Sequence, residues 1–346
     1  MRRKPNSTNM LKRKSLAIVL IAICQLTIIA QEKKFSLSGS IDAYHKTNIN
    51  APYETAPGSS FANLPGFALG MANVIVSYEG KKAGFVADLV FGPRGTDAIF
   101  ASPMYSDTGN IVNQLYAYLN ISESVKLTLG NFNTFLGYEV ISPIGNFNYS
   151  TSYLFSYGPF SHTGLKADFT LSDDWSLMLA VMNPTDATEL NPNGKYAMGA
   201  QIGYSDQFLN FLYDNGGFEI DYTGGFDITK NFFLGINAAY FNNDDLNIGF
   251  GGLALYPQYS INEDFILGLR AEYFKQDTSV DFDPIGTGIS ESSVFVATLS
   301  GNYIVGDLTI IPELRLDSSS DDFFLDNDAT PQSSLASFLV AAVYKF

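Results

Sequence analysis

Segments of about ten residues that alternate apolar with polar or small side chains recur along this chain, and a two-residue period is the repeat of a β-strand with two different faces. In 218–228, Phe218, Ile220, Tyr222, Gly224, Phe226 and Ile228 face one way; Glu219, Asp221, Thr223, Gly225 and Asp227 face the other. In 265–274, Phe265, Leu267, Leu269, Ala271 and Tyr273 oppose Ile266, Gly268, Arg270, Glu272 and Phe274. The pattern returns in 163–171, with Thr163, Leu165, Ala167, Phe169 and Leu171 against Gly164, Lys166, Asp168 and Thr170. A soluble sandwich and a membrane-spanning barrel both produce such strands, the second with lipid on one face and a lumen on the other.

The connections separate the two. Tight polar turns fall at 79–82, 122–124, 172–174, 205–207, 229–231, 262–264 and 306–307. Between them lie longer connections at 47–65, 93–110, 134–161, 183–195, 276–291 and 317–333, with two shorter ones at 214–217 and 242–246 that keep the order. Brief turns at one end and longer loops at the other are the asymmetry of an outer-membrane barrel. Aromatic pairs eight residues apart (Phe218 and Phe226, Phe232 and Tyr240, Phe265 and Tyr273) bracket outward faces. Eight strand steps at about 3.3 Å, tilted near 40°, cover roughly 20 Å of membrane normal, so these pairs read as two interfacial girdles. Phe338, Val340, Ala342, Tyr344 and Phe346 alternate to the last residue, resembling the terminal strand that the barrel assembly machinery recognises. The expected fold is all-β: a transmembrane antiparallel up-and-down β-barrel of about 16 strands over residues 31–346. Short periplasmic turns, long external loops and a wall set in outer-membrane lipids and lipopolysaccharide complete it.

Composition agrees. Charged residues make up 16%, against roughly 25% in a typical soluble domain, and 28 Phe with 20 Tyr exclude a disordered chain. With 35 acidic against 20 basic residues the surface repels phosphates, so no nucleic acid is expected as a partner. Six of the basic residues lie in the first 14 positions, ahead of an apolar run at 16–30 broken only by Gln25 and Thr27. A basic start, a short apolar run and the small Ala30 describe a cleaved secretory signal peptide at 1–30, whether translation starts at Met1 or Met10. Export then leads to the outer membrane of a Gram-negative bacterium. Cleavage removes Cys24, the one cysteine, so a disulfide, a thiolate-ligated metal or a cysteine nucleophile is excluded. No later run of 18 apolar residues offers a spanning helix.

Little in the sequence suggests catalysis. His45 and His162 lack metal-ligand spacing, and Ser161 and His162, as strand neighbours, point to opposite faces. No catalytic residue, metal site or cofactor is expected. Asp321, Asp322, Asp326 and Asp328 cluster in the last long connection and read as a solvated acidic loop, with divalent bridging to lipid phosphates as the other reading.

The longest connection carries the most distinctive residues: Gly137-Tyr138-Glu139, then Asn146-Phe147-Asn148-Tyr149-Ser150, then Gly158-Pro159-x-x-His162-x-Gly164. This stretch resembles the signature of the OmpL-like family of β-barrel porins, and the layout from Phe35 to Phe346 is similar to that family's. The resemblance implies an outer-membrane diffusion channel for small hydrophilic solutes, with no catalytic residues. Loops this long are uncommon unless functional or disordered. A 16-stranded barrel is wide enough for an aqueous channel, and an ordered loop folded inward at 134–161 would narrow it; an external cap over the rim is the other reading. Tyr138, Glu139, Asn146, Asn148 and Tyr149 are the candidate constriction residues.

The polar faces of the clearest strands give candidate lumen-wall residues: Lys166, Asp168, Glu219, Asp221, Arg270, Glu272, Glu313 and Arg315. Adding Asp42, Asp88 and Asp227 among the acids and Lys126 among the bases leaves eight acids against four bases. Such a wall raises cation concentration in the pore, predicting a weak cation preference. Glu139 either acts in that selectivity or pairs with a wall arginine to pin the loop. The rivals to a passive channel are a structural or adhesive barrel closed by its own loop and, further off, a barrel enzyme. A homo-oligomer is plausible by analogy with general porins.

Overall fold

The computed structural model describes residues 34–99, 111–189, 191, 193–278 and 291–346. The expected signal peptide and parts of three long connections lie outside them. The first strands are β1 (Lys34–Asn48), β2 (Gly66–Glu79), β3 (Ala83–Phe91), β4 (Val112–Ser122), β5 (Val125–Asn133), β6 (Ser161–Thr170) and β7 (Trp175–Met182). Then follow β8 (Ala197–Tyr204), β9 (Gln207–Asp214), β10 (Gly217–Thr229), β11 (Phe232–Asn243), β12 (Ile248–Ser260), β13 (Phe265–Thr278), β14 (Glu291–Val305) and β15 (Leu308–Ser319). A small external hairpin, β16 (Phe324–Leu325) and β17 (Pro331–Gln332), precedes the last wall strand, β18 (Ser334–Lys345). Two short helices, α1 (Pro93–Ala98) and α2 (Tyr153–Tyr157), and a 3₁₀ turn at Pro143–Gly145 lie in the long connections.

Sixteen strands, β1–β15 and β18, form one closed antiparallel barrel in which each pairs with its sequence neighbours. β1 closes the ring on β18, from Ser40 opposite Lys345 to Asn48 opposite Ser337. Closure leaves the wall without a free edge strand, the condition for crossing a hydrocarbon layer with sheet. The turns and long connections fall where the alternation places them.

The outer wall is apolar. Leu37, Ile41, Leu129, Leu165, Val181, Met198, Leu253 and Leu314 are exposed there, with Phe218, Phe226, Tyr240 and Tyr273 among the exposed aromatics. The inner wall is polar in part, with Asp88, Asn113, Thr128, Asn210, Asn237 and Thr298 buried there. Elsewhere it is as apolar as a soluble core: Phe250, Phe274, Val294 and Val296 on β12–β14, and Ile311, Leu339, Ala341 and Val343 on β15 and β18, are buried. These inward apolar side chains pack against Tyr149, Tyr153 and Leu154 from the connection between β5 and β6. That connection therefore meets the inner wall rather than capping its rim.

Candidate functional site

Residues 134–160 cross the barrel interior between β5 and β6, and the backbone of 148–155 has no strand or long helix to satisfy it. Thr151, Ser152 and Tyr153 are entirely buried, so each N–H and C=O there needs a partner from the surrounding protein. Carboxylates supply the acceptors. Glu313 on β15 takes the amides of Tyr149 (2.7 Å) and Ser150 (3.0 Å). Glu272 on β13 takes those of Tyr153 (3.0 Å) and Leu154 (2.8 Å) at the start of α2. Glu139, within the connection itself, takes that of Ser152 (2.7 Å).

Guanidinium groups supply the donors. Arg270 on β13 donates to the Ser150 carbonyl (2.5 Å), to Thr298 Oγ1 (3.1 Å) and to Glu139 Oε1 (2.8 Å). Arg315 on β15 donates to the Thr151 carbonyl (3.0 Å) and grips Asp317 through two bonds of 2.9 and 2.8 Å. Arg94, at the start of α1, donates to the carbonyls of Ile141 (2.7 Å) and Tyr149 (2.9 Å), its guanidinium 4.7 Å from the Phe61 ring centroid. Charge-assisted bonds of this kind are the strong ones. Wall and loop charges together bind a stretch of buried backbone.

The side chains fit as closely as the backbone. Inward-facing glycines leave room for them: a Cβ on Gly199 would lie under 3 Å from Phe135, one on Gly235 from Tyr138, and one on Gly268 from Phe147. Tyr138 stacks on Tyr256 with centroids 4.4 Å apart, and burial holds its phenol up at about 12. Tyr149 donates its hydroxyl to Asp42 at 2.5 Å. Asp42 sits at a register shift between β1 and β2 and also accepts the Met71 amide, a bulge re-aiming a side chain inward.

The remaining sequence-derived candidates lie as follows. Asn148 donates to Ser300 Oγ (2.6 Å) on β14. Asn146 stays local, bonding both the amide and the carbonyl of Val140. Asp221 accepts the Gly137 amide (3.0 Å) and bonds from Asn210 and Asn237. Lys166 and Asp168 on β6 form a loose pair (3.5 Å) with Lys126 nearby (3.8 Å from Asp168), all partly exposed. Glu219 is buried and lines a cavity at the external end of β10. His162 is held against Thr134 (3.0 Å) and His45 lies edge-on to Phe67. In the last external connection, Asp326 caps the amides of Asp328 and Thr330.

Three charged contributors are absent from the sequence-derived set. Lys46 lies on the same face of β1 as Asp42, so the two-residue period reaches it. Asp317 continues the face of Glu313 and Arg315, but the strand runs three residues beyond where the sequence ends it, to Ser319. Arg94 is the one basic residue in its connection, and nothing local tells that it reaches residues 141 and 149.

A closed sixteen-stranded barrel with an ordered connection packed into its interior has the architecture of the outer-membrane porins. The chain belongs to the family described as Putative beta-barrel porin-2, OmpL-like, whose family model matches residues 34–346. No curated protein matches the chain. Among solved structures, it is similar to the outer membrane channel DcaP of Acinetobacter baumannii, with 13% identity, TM-score 0.60 and 91% and 97% of the two chains covered. It is likewise similar to the anion-selective porin from Comamonas acidovorans, with 12% identity, TM-score 0.57 and 91% and 100% covered. The trimer form of OmpT, an outer membrane protein of Vibrio cholerae, has 11% identity, TM-score 0.54 and 91% and 99% covered. At these identities the likenesses show a shared fold alone.

Proposed function

We propose that the protein is a porin of a Gram-negative outer membrane, reached through cleavage of residues 1–30, that passes small hydrophilic solutes and ions by passive diffusion with a weak preference for cations. The observation that carries this reading is that residues 134–160 are anchored inside the barrel most heavily on β13–β15, while part of the wall opposite keeps exposed polar side chains. Arg270, Glu272, Glu313 and Arg315 bind the segment to β13–β15. Lys126, Lys166 and Asp168, half a barrel away on β5 and β6, keep side-chain exposures of 47%, 24% and 31%. A wetted polar wall facing an anchored loop is the arrangement of a narrowed diffusion path. In this reading Tyr138, Glu139, Asn146, Asn148 and Tyr149 belong to the constriction, and Glu139 acts chiefly by pinning it.

Carboxylates outnumber cations on the inner wall: Asp42, Asp88, Asp168, Glu219, Asp221, Glu272, Glu313 and Asp317 against Lys46, Lys126, Lys166, Arg270 and Arg315. That excess supports cation preference through the field of the whole wall. The exposed lysine pair on β5 and β6 opposes it locally. Burial of the whole of 148–155 favours a second reading, a structural or adhesive barrel closed by its own loop. No enzymatic role is proposed. Lipids, lipopolysaccharide and the assembly machinery are the expected partners, in a homo-oligomer such as the trimer described for OmpT.

Liposome swelling separates the two readings. Vesicles carrying the folded protein should swell in small neutral sugars at rates that fall with solute size. Vesicles that respond as empty ones do, with the barrel shown to be folded, would support the closed reading instead.

A further inference from the structure

Glu219 faces inward near the external end of β10, is 5% exposed, and receives neither a hydrogen bond nor an ion pair among the described residues. The other buried inward carboxylates each take at least one donor: Asp42, Asp88, Asp221, Glu272, Glu313 and Asp317 are all engaged. A carboxylate withdrawn from water without a partner is costly, and the cost is relieved by a proton or by a cation that binds there.

The group opens onto a cavity of about 310 Å³ that also carries Asp186 and Asp214. Among the described residues, no lysine, arginine or histidine lines it. Asp186 is engaged by the amides of Phe160 and Ser161 (both 2.8 Å), and Asp214 by that of Thr185 (2.7 Å). These two therefore add negative potential, while Glu219 keeps both oxygens for a ligand. The rest of the lining is largely aromatic and aliphatic. Tyr157, Phe241 and Phe250 form one ring cluster, with centroids 5.4 Å apart for Phe241 and Phe250 and 6.5 Å apart for Tyr157 and Phe250.

We infer that this cavity binds a small organic cation, its ammonium group against Glu219 and its apolar body against the aromatic cluster. Cations are drawn to ring faces as well as to carboxylates, and the volume lies at the small end of ligand pockets. A metal ion fits poorly. Calcium asks for six or more oxygens, and among the described residues no three His, Cys, Asp or Glu side chains are placed to hold one. The inference does not require an open lumen, because residues of the external connections, Asp186, Asn215 and Leu246, line the cavity.

The test uses the whole barrel in detergent, titrated calorimetrically with butylammonium. The expected result is one saturable site, with 1-butanol and sodium binding at least tenfold more weakly. Glu219→Gln, shown folded by heat-modifiable migration, should weaken butylammonium at least tenfold, and Asp227→Asn, outside the cavity, should leave it unchanged. If Glu219→Gln fails to fold, Phe241→Leu should weaken binding severalfold, since it removes the ring while keeping an apolar side chain. Absent saturation, equal binding of butanol, no effect of either cavity variant, or tighter binding of calcium that displaces butylammonium would each overturn the assignment. Liposome swelling reads the channel separately, so failure of one proposal is distinguishable from failure of the other.

Discussion

Arg270 is completely buried and divides its guanidinium among Glu139, the Ser150 carbonyl and Thr298. Removing one partner of such a pair strands the other charge in a dry site, which typically costs about 3–5 kcal/mol. Arg270→Met is therefore expected to lower the urea midpoint in detergent strongly, and adding Glu139→Gln to it should recover a large part of the loss. Equal midpoints for the single and double variants would show that the pair does not hold the loop. Asp186, in the external connection between β7 and β8, has the opposite character. Burial raises its carboxyl to about 6, although the amides of Phe160 and Ser161 favour the ionised form. Its folded value lies above the unfolded one, so the folded state binds the proton more tightly and loses stability as pH rises from about 4 through 6. Asp186→Asn should be more stable than the native protein at pH 8, and that advantage should shrink steadily as pH falls to 4. An advantage independent of pH would contradict this account of Asp186.

The element on which the proposed function turns is the connection between β5 and β6, and the wall is shaped to receive it. Gly199, Gly235 and Gly268 sit where Phe135, Tyr138 and Phe147 press on the strands. Valine at Gly235 should force Tyr138 off Tyr256 at an overpacking cost of about 1–3 kcal/mol. Limited proteolysis of the folded barrel should then cut within 134–160 while the strands stay protected; unchanged resistance would show that the loop tolerates the intrusion. The strands themselves were legible in the sequence, because a lipid-facing surface must be apolar at every second residue and each slip of register would bury charge in lipid. The seat of the loop was not. An external cap and an inward plug call for the same Asn, Tyr, Ser and Gly, and the contacts that choose between them join residues far apart, such as Glu139 with Arg270 and Tyr149 with Asp42. Inward apolar residues were equally silent: Val294, Val296 and Leu339 look lipid-facing until the loop that covers them is in place.

For the whole molecule, the wall charges read from the sequence as pore lining have a second task. Arg270, Glu272, Glu313 and Arg315 serve the backbone of a buried segment, while Lys126, Lys166 and Asp168 on the wall opposite keep partly exposed side chains. In the proposed function, net acidity acts on ions through the field of the barrel rather than through a ring of exposed carboxylates, and the preference expected from it is modest and weakens with salt. The fold does not set its sign, since a neighbour of the same architecture is described as anion-selective. The most direct measurement is single-channel recording of the folded protein in a planar bilayer under a potassium chloride gradient. Stepwise conductance with a small reversal potential of the sign for potassium is the predicted result; a folded protein that stays electrically silent would contradict the claim that this barrel is a channel.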